Sequence, residues 1–143
     1  MAKSFKLEVI TPSKLFYKGD VEIVIVRTLE GEEGFMADHS WACKLLDVGE
    51  LWFREAGAQE YKVAAIAGGY IDIKDYIIIF TDAAEWPEDI DVARAKLEKE
   101  RAENWLKSPS QNDSEIARAK IAIAKSLTRM NVKEGGRRAR RFK

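Results

Sequence analysis

The feature that most constrains this chain is a change in the spacing of its apolar residues close to Pro87. Before that point apolar residues form short runs, such as residues 77–80, which are typical of β-strands. After it they recur at helical spacing, and the carboxylates that follow Pro87 indicate a helix start, because they stabilise the N–H groups of a first turn. The pattern predicts an α+β chain: an antiparallel β-sandwich over residues 1–87 and an antiparallel α-helical hairpin over residues 88–134.

The first 87 residues alternate strand-forming segments with turn-forming ones about every ten residues, as in an antiparallel sandwich. Turns are expected at Lys18-Gly19-Asp20, Gly31 to Gly34, Asp47-Val48-Gly49, Ala56-Gly57-Ala58 and Lys74-Asp75. The run from Val21 to Thr28 is apolar at nearly every position. Such a strand is expected between two layers, or at an edge that another subunit covers.

Two amphipathic helices with a short connection are expected in the second half. The first apolar stripe contains Val92, Ala95, Ala102 and Leu106, and the second, after an N-cap at Asn112, contains Ile116, Ala119, Ile123, Leu127 and Met130. Both stripes are narrow and rich in alanine, so little apolar area is buried and the hairpin is expected to open or re-dock.

Residues 135–143 are expected to form a basic, disordered tail. Direct nucleic-acid binding is not expected of it, because only Phe142 offers a ring for stacking.

Charge is distributed unevenly, although the chain as a whole is neutral. Residues 1–87 carry nine Lys and Arg against fifteen Asp and Glu, a net charge of −6, and residues 88–143 carry fifteen against nine, a net charge of +6. This asymmetry predicts attraction between the halves or an acidic partner for the second half. The lone cysteine, the lack of a signal-peptide pattern and the lack of a long apolar run predict a soluble, cytosolic protein that meets a membrane only through a partner.

The sequence offers few groups for catalysis. His39 and Cys43 are its only histidine and cysteine, and its glycine pairs match neither a Walker loop nor a dinucleotide fingerprint. We therefore expect no enzyme activity, no metal and no required cofactor. His39, beside Asp38, is either a pH-sensitive contact or a structural residue in a strand-end loop, and the structural interpretation is the more common one.

A charged group near the predicted helix start has two interpretations. Asp91 and Arg94 are three residues apart, Arg101 follows two turns later, and Glu85 comes just before. These side chains either form surface ion pairs, worth about 0.2–0.5 kcal/mol each, or hold a nucleotide through its phosphates and an amine or hydroxyl group. Both interpretations stay open on spacing alone.

Several segments, in this order, resemble the ε subunit family of the F-type ATP synthases. They are TP at 11–12, GEEGFMADHS at 31–40, GEL at 49–51, AGGYIDI at 67–73, TDAAE at 81–85 and DIDVARA at 89–95. The resemblance implies a non-catalytic rotor subunit whose sandwich contacts the γ subunit and the membrane c ring, peripheral to the cytoplasmic face of a bacterial membrane. It also implies a hairpin that extends to the α/β catalytic head and inhibits ATP hydrolysis. The rival interpretation is a free-standing adaptor whose basic helical arm binds an acidic protein or nucleic acid.

The resemblance also implies site residues. Residues 90–95 match the motif of nucleotide-binding members, and Lys125 stands where the family has an arginine. Regulatory ATP is therefore expected at Glu85, Asp91, Arg94, Ala95, Arg101, Lys125 and Arg129. Glu32 and His39 are expected to contact the c ring. The loop before His39 departs from the family pattern, because Ala37-Asp38 replaces the usual Pro-Gly.

Overall fold

The computed structural model describes residues 3–108 and 112–135. The strands are β1 Phe5–Ile10, β2 Leu15–Thr28, β3 Gly31–Met36, β4 Ala42–Glu55, β5 Lys62–Ile73, β6 Ile77–Phe80 and β7 Ala84–Glu85. A 3₁₀-helix at Pro87–Asp89 leads to helix α1, Val92–Leu106, and then to helix α2, Asp113–Lys133. The predicted α+β order, a sandwich followed by two helices, is confirmed, and the structure type changes at Pro87 as the spacing indicated.

The strands form a sheet that closes on itself in the order β1-β6-β5-β4-β2, because β1 also pairs with β2. Strand β2 makes this closure: its first half pairs with β1, and its second half lies between β3 and β4. The apolar run expected between layers is therefore an interior strand, with Val24 and Val26 fully buried and Ile25 only 4% exposed. Among the described strands, β1 and β6 form the single parallel pair in an otherwise antiparallel sandwich.

Three of the expected turns are wrong, because each lies inside a strand. Lys18-Gly19-Asp20 belongs to β2, Gly31 to Gly34 to β3, and Asp47-Val48-Gly49 to β4. Two of these glycines make room for a neighbouring side chain: a methyl group on Gly19 would collide with the Tyr17 ring, and one on Gly49 would press on Arg27. The chain reverses at Leu29-Glu30 instead, while the turns expected near residues 56–57 and 74–75 are confirmed.

The core fills the interior of the closed sheet. Its buried side chains are Phe5, Leu7, Val9, Val21, Val24, Val26, Phe35, Leu46, Leu51, Phe53, Ala64, Ile66, Ile71, Ile73, Ile77 and Ile79. Trp86, the last residue before the 3₁₀-helix, packs on this core. Its ring centroid lies 4.4 Å from that of Phe16 and 6.1 Å from that of Phe53. The sandwich therefore holds the chain firmly up to the residue at which the helices begin.

Side-chain caps start both helices. Asp91 accepts a hydrogen bond of 3.0 Å from the Arg94 N–H at the start of α1. Asn112 accepts one of 2.9 Å from the Glu115 N–H at the start of α2, as expected. These caps satisfy N–H groups that have no partner inside the helix. Neither described helix is both long enough and apolar enough to cross a membrane.

The residues that the helices bury are small. They are Ala95 and Ala102 on α1 and Ala119, Ser126 and Val132 on α2. Leu127, which the sequence placed on the apolar stripe, is instead 38% exposed, and its neighbour Ser126 takes the buried position at 1%. Helix α2 lies on β4 and β5, and the hairpin is folded back onto the sandwich. The basic tail predicted for 135–143 lies outside the described residues apart from Gly135.

Candidate regulatory site between the helices and the sandwich

The segment that joins the sandwich to α1 is fixed by one apolar contact and one cap. Ile90 is 4% exposed and packs with Ala65 of β5 and Val132 of α2. Asp91 caps α1, and Ala95 is fully buried one turn later. Three residues of the predicted nucleotide motif therefore have a structural role in the folded-back hairpin, whether or not a ligand binds.

Arg129 of α2 connects three elements of the fold. Its Nε lies 2.7 Å from Glu85 Oε1, and its Nη2 donates a hydrogen bond of 3.2 Å to Glu85 Oε2. Its Nη1 lies 3.5 Å from Oε2 of Glu98 on α1. The Arg129 side chain is only 18% exposed, so these ion pairs are partly shielded from water. Arg129 thus ties α2 both to β7 of the sandwich and to α1.

Glu98 is the residue of this site that sequence reasoning missed. Its Oε1 accepts a hydrogen bond of 3.1 Å from Arg94 Nε, four residues earlier on α1, while its Oε2 faces Arg129. The i, i+4 spacing from Arg94 was a signal for the first of these contacts. The second contact depends on how α2 lies against α1, which local spacing does not contain.

A cavity of about 180 Å³ lies between the hairpin and the sandwich. It is lined by Ala65, Ile66, Ala67, Ala83, Glu85, Glu98, Lys125, Thr128 and Arg129. The structure therefore brings together Glu85, Lys125 and Arg129 of the seven predicted site residues. Small-molecule pockets commonly measure about 300–1,000 Å³, so this cavity has room for part of a nucleotide rather than all of it.

The remaining predicted cation, Arg101, lies in a different place. It lines a groove of about 520 Å³ between the helices, together with Trp105, Arg118 and the alanines that the helices bury there. Glu98 lines both the cavity and the groove. Among the described residues neither Arg101 nor Lys125 makes an ion pair within 4 Å. Both side chains are therefore available to an anion, Lys125 in the cavity and Arg101 in the groove.

Family models match both parts of the chain. The model for the β-sandwich domain of the ATP synthase delta/epsilon chain matches residues 4–87, and the model for its long α-helix domain matches residues 88–134. The chain belongs to the ATP synthase delta/epsilon family.

Proteins of this family are similar over most of their length. The ATP synthase epsilon chain of Caldanaerobacter subterraneus is 40% identical over 134 residues, which is 92% of this chain and 95% of that one. The epsilon chain of Alkaliphilus metalliredigens is 45% identical over 107 residues, covering 74% and 78% of the two chains. A chain of the Euglena gracilis mitochondrial ATP synthase structure, described as OSCP/F1/c-ring in a rotational state, shares the fold: its TM-score is 0.76 at 23% identity, over 87% of this chain and 78% of that chain.

The loop at residues 37–40 contains one residue in the left-handed region. Asp38 has a φ of 66°, a conformation that aspartate tolerates better than most residues. Its carboxylate lies 3.0 Å from Lys3 Nζ. His39 is exposed; its Nδ1 is 2.8 Å from the Ser40 carbonyl oxygen, and its ring meets the Phe35 ring edge to face. These contacts hold the His39 ring against the sandwich.

Glu32, the other residue predicted to meet the c ring, lies in β3 and is exposed. It lines a cavity of about 210 Å³ whose other walls include Arg27 and Asp47 of the sandwich and Leu127 and Asn131 of α2. The structure thus places Glu32 close to the docked helix. His39 lies three residues beyond the last residue of β3, at the opposite end of this strand from Glu32.

Proposed function

We propose that this chain is a non-catalytic, ε-type subunit of the central stalk, or rotor, of an F-type ATP synthase at the cytoplasmic face of a bacterial membrane. The observation that carries the proposal is the consecutive match of both family domains over residues 4–134. The similar chain from Euglena gracilis belongs to an assembly that contains F1 and a c ring. In such an assembly the α/β head performs the chemistry, and this subunit couples and regulates it without a cofactor of its own.

An exposed apolar row on the sandwich supports contact with the γ subunit. Leu45 pairs with Tyr70, and Tyr70 pairs with Phe80, so the three side chains lie side by side on one face of neighbouring strands. The rings of Tyr70 and Phe80 stack at 4.9 Å, and Leu29 beyond Leu45 is 64% exposed. Contiguous apolar surface of this kind is typical of a protein–protein interface.

Co-purification tests the rotor assignment. A tagged full-length chain recovered from detergent-solubilised membranes is expected to bring γ and c subunits with it. Leu45→Asp is expected to weaken this recovery, because it places a charge in the apolar row. Gln59→Asp, at an exposed position in the loop before β5, serves as the matched control. Recovery without γ and c subunits would contradict the rotor assignment and favour the free-standing adaptor.

The proposed c-ring contact uses Glu32 and His39. Both are exposed, and the His39 ring is held in place by Phe35 and the Ser40 carbonyl. Glu32→Lys is expected to lower coupled ion pumping in the reconstituted complex while the subunit still assembles. Pumping equal to that of the wild type would count against this contact.

We propose that the hairpin inhibits ATP hydrolysis when it leaves the sandwich for the catalytic head. Among the described residues, the contacts that hold it to the sandwich include a small apolar cluster around Val132 and the ion pair of Arg129 with Glu85. Residues 88–134 carry ten basic and nine acidic side chains, so five of the six excess positive charges of the second half lie in the tail. Attraction to an acidic surface of the head therefore depends mainly on residues 137–143.

Truncation tests this inhibition. Removing residues 88–143 is expected to raise ATP hydrolysis by the assembled complex, and removing residues 136–143 alone is expected to raise it part of the way, because the tail carries most of the charge. The core of the sandwich and the residues packed against it lie within residues 5–86, which this truncation keeps, so assembly is expected to persist. Hydrolysis that stays constant in both truncations would show that the helices are not the inhibitor.

We further propose that ATP is a regulatory ligand that is bound but not hydrolysed and that favours the docked hairpin. Lys125 and Arg129 face the same cavity, and Arg94 and Arg101 approach from α1 on either side of Glu98. A ligand that binds only the docked state raises the population of that state as the ligand concentration exceeds the dissociation constant.

An ATP titration of the isolated subunit, followed by the fluorescence of Trp105, tests this proposal. Arg94→Ala is expected to weaken the response and Lys120→Ala, at an exposed position on α2, to leave it unchanged; an equal response in all three proteins would exclude the site.

A further inference from the structure

Glu98 lies at the centre of the candidate site. Its two carboxylate oxygens face two different arginines, with Oε1 3.1 Å from Arg94 Nε and Oε2 3.5 Å from Arg129 Nη1. Charge-assisted contacts of this kind are those that arginine makes equally with carboxylate and with phosphate. Glu98 thus occupies the position that an anionic ligand of these arginines would take.

We propose that Glu98 is a built-in anion that takes the place of a nucleotide phosphate between Arg94 and Arg129. This proposal rests on the regulatory ATP site proposed above and identifies what controls its affinity. Glu98 lowers the repulsion between the two arginines in the nucleotide-free protein, so the docked hairpin is already partly populated before ATP binds. ATP binds only by displacing Glu98, and its affinity is correspondingly low.

The charges of the site are consistent with this role. Glu85 and Glu98 face Arg94, Lys125 and Arg129, so two negative charges oppose three positive ones. Without the Glu98 carboxylate one negative charge would oppose three, and docking the hairpin would cost more in repulsion. An added triphosphate would then restore the balance that Glu98 maintains in the unliganded protein.

The position of Glu98 also allows it to be displaced. Its side chain is 41% exposed, and that of Arg94 is 72% exposed, so the carboxylate can turn into water without a large desolvation change. Glu98 is the residue shared by the 180 Å³ cavity and the 520 Å³ groove. Its movement joins the two spaces and lets a ligand in the cavity reach Arg101, which the present arrangement separates from Lys125 and Arg129.

An ATP titration of Glu98→Gln tests the proposal. The amide keeps the shape of the side chain and removes the charge that competes with the phosphates. We expect this gain to exceed the loss of docked population, so that ATP binds about three- to tenfold more tightly than to the wild type. Glu100→Gln is the matched control, because Glu100 is exposed on the same helix and the described residues include no ion pair to it. The control is expected to bind ATP as the wild type does. Inorganic triphosphate in place of ATP shows whether the phosphates alone account for the change.

A distance measurement without nucleotide gives a second readout. Spin labels are placed on the exposed Cys43 of the sandwich and on Lys107→Cys at the end of α1. Without nucleotide, the docked distance is expected to be less populated in Glu98→Gln than in the wild type. ATP is expected to raise the docked population in both proteins.

The outcomes separate this proposal from the one on which it depends. Saturable ATP binding of equal affinity in wild type and Glu98→Gln would overturn the role of Glu98 and leave the ATP site standing. Absence of saturable binding in both proteins would overturn the ATP site and this proposal together. A docked distance in nucleotide-free Glu98→Gln that equals that of the wild type would overturn the claim that Glu98 holds the hairpin.

Discussion

The sandwich and the hairpin are held by different kinds of contact. In the sandwich, large side chains such as Phe35, Phe53 and Leu51 are fully buried in one continuous core. In the described part of the hairpin, the buried residues are mostly alanines, and its attachment to the sandwich includes one small apolar cluster and one partly buried arginine. Because apolar area removed from water dominates stability, the sandwich is the stable body of the molecule and the hairpin the part that separates first.

The largest expected effect comes from emptying the sandwich core. Phe53→Ala removes a fully buried ring that lies 4.4 Å from the Tyr17 ring and 6.1 Å from the Trp86 ring. We expect the free energy of unfolding to fall by about 3–5 kcal/mol, because the substitution loses buried area and leaves a cavity. Urea unfolding monitored by circular dichroism measures it. Leu29→Ala, at a 64% exposed site, is the control and is expected to change stability by less than about 0.5 kcal/mol.

A smaller and local effect is expected where the hairpin meets the sandwich. Val132→Ala shortens a fully buried side chain in the cluster with Ala65 and Ile90. We expect it to weaken docking by about 1–2 kcal/mol, since roughly two methyl groups lose their contacts. Amide hydrogen exchange is expected to speed up in α1 and α2 while β4 and β5 keep their protection. If exchange accelerates equally in the sandwich and the hairpin, the two parts unfold as one unit. That result would contradict the expectation that the hairpin separates first.

The smallest expected effect concerns pH and a surface contact of the sandwich. Glu33 Oε1 lies 2.6 Å from Lys44 Nζ, and its Oε2 accepts a hydrogen bond of 2.6 Å from the Thr28 hydroxyl. The hydrogen bonds from Lys44 and Thr28 lower the pKa of Glu33 below its ordinary 4.5, and the same pair raises the pKa of Lys44. A lowered carboxyl pKa contributes stability above pH 4.5, and this stability is lost as the pH falls through the folded-state value.

Glu33→Gln is therefore expected to lower the free energy of unfolding by less than about 1 kcal/mol near pH 7. In acid the stabilities of the variant and the wild type are expected to become equal. Thermal unfolding between pH 3 and pH 7 measures this convergence. Glu30→Gln, in the turn between β2 and β3, is the control and is expected to show no such convergence. A stability gap that stays constant down to pH 3 would show that the Glu33 charge is not the cause.

The sequence predicted the two parts better than it predicted the details within them. The period change at Pro87, the helix start indicated by the carboxylates after it and the cap at Asn112 are local signals, because each depends on residues a few positions apart. The turns expected at Gly19 and Gly49 were wrong for the opposite reason. These glycines are explained by the side chains of Tyr17 and Arg27, one of which comes from a neighbouring strand.

The difference between local signals and contacts of distant segments also explains which features of the site were predicted. The family motif led to Glu85, Lys125 and Arg129, which line one cavity. The resemblance and the helical spacing also placed Arg101 with them, seven residues after Arg94 on the same helix, but Arg101 lines the groove between the helices instead of the cavity. How two helices lie on one another is not contained in the period of either one. The sequence therefore indicated the residue types of the site, but not which pairs of them meet.

The stacking of Trp86 on Phe16 sets the reach of the helices once they leave the sandwich. Because Trp86 stays with the core, the pivot of any swing lies at Pro87, and its position is the same at every stage of the movement. Helices of 15 and 21 residues are about 22 Å and 32 Å long, so a hairpin that remains folded sweeps a radius of roughly 30 Å. If the connection between them also straightens, the end of α2 lies roughly 55 Å from the pivot. The end of α2 lies beside Ile90, close to the pivot, while the hairpin is folded. A probe there would therefore distinguish a swung hairpin from a straightened one by a difference of roughly 40 Å.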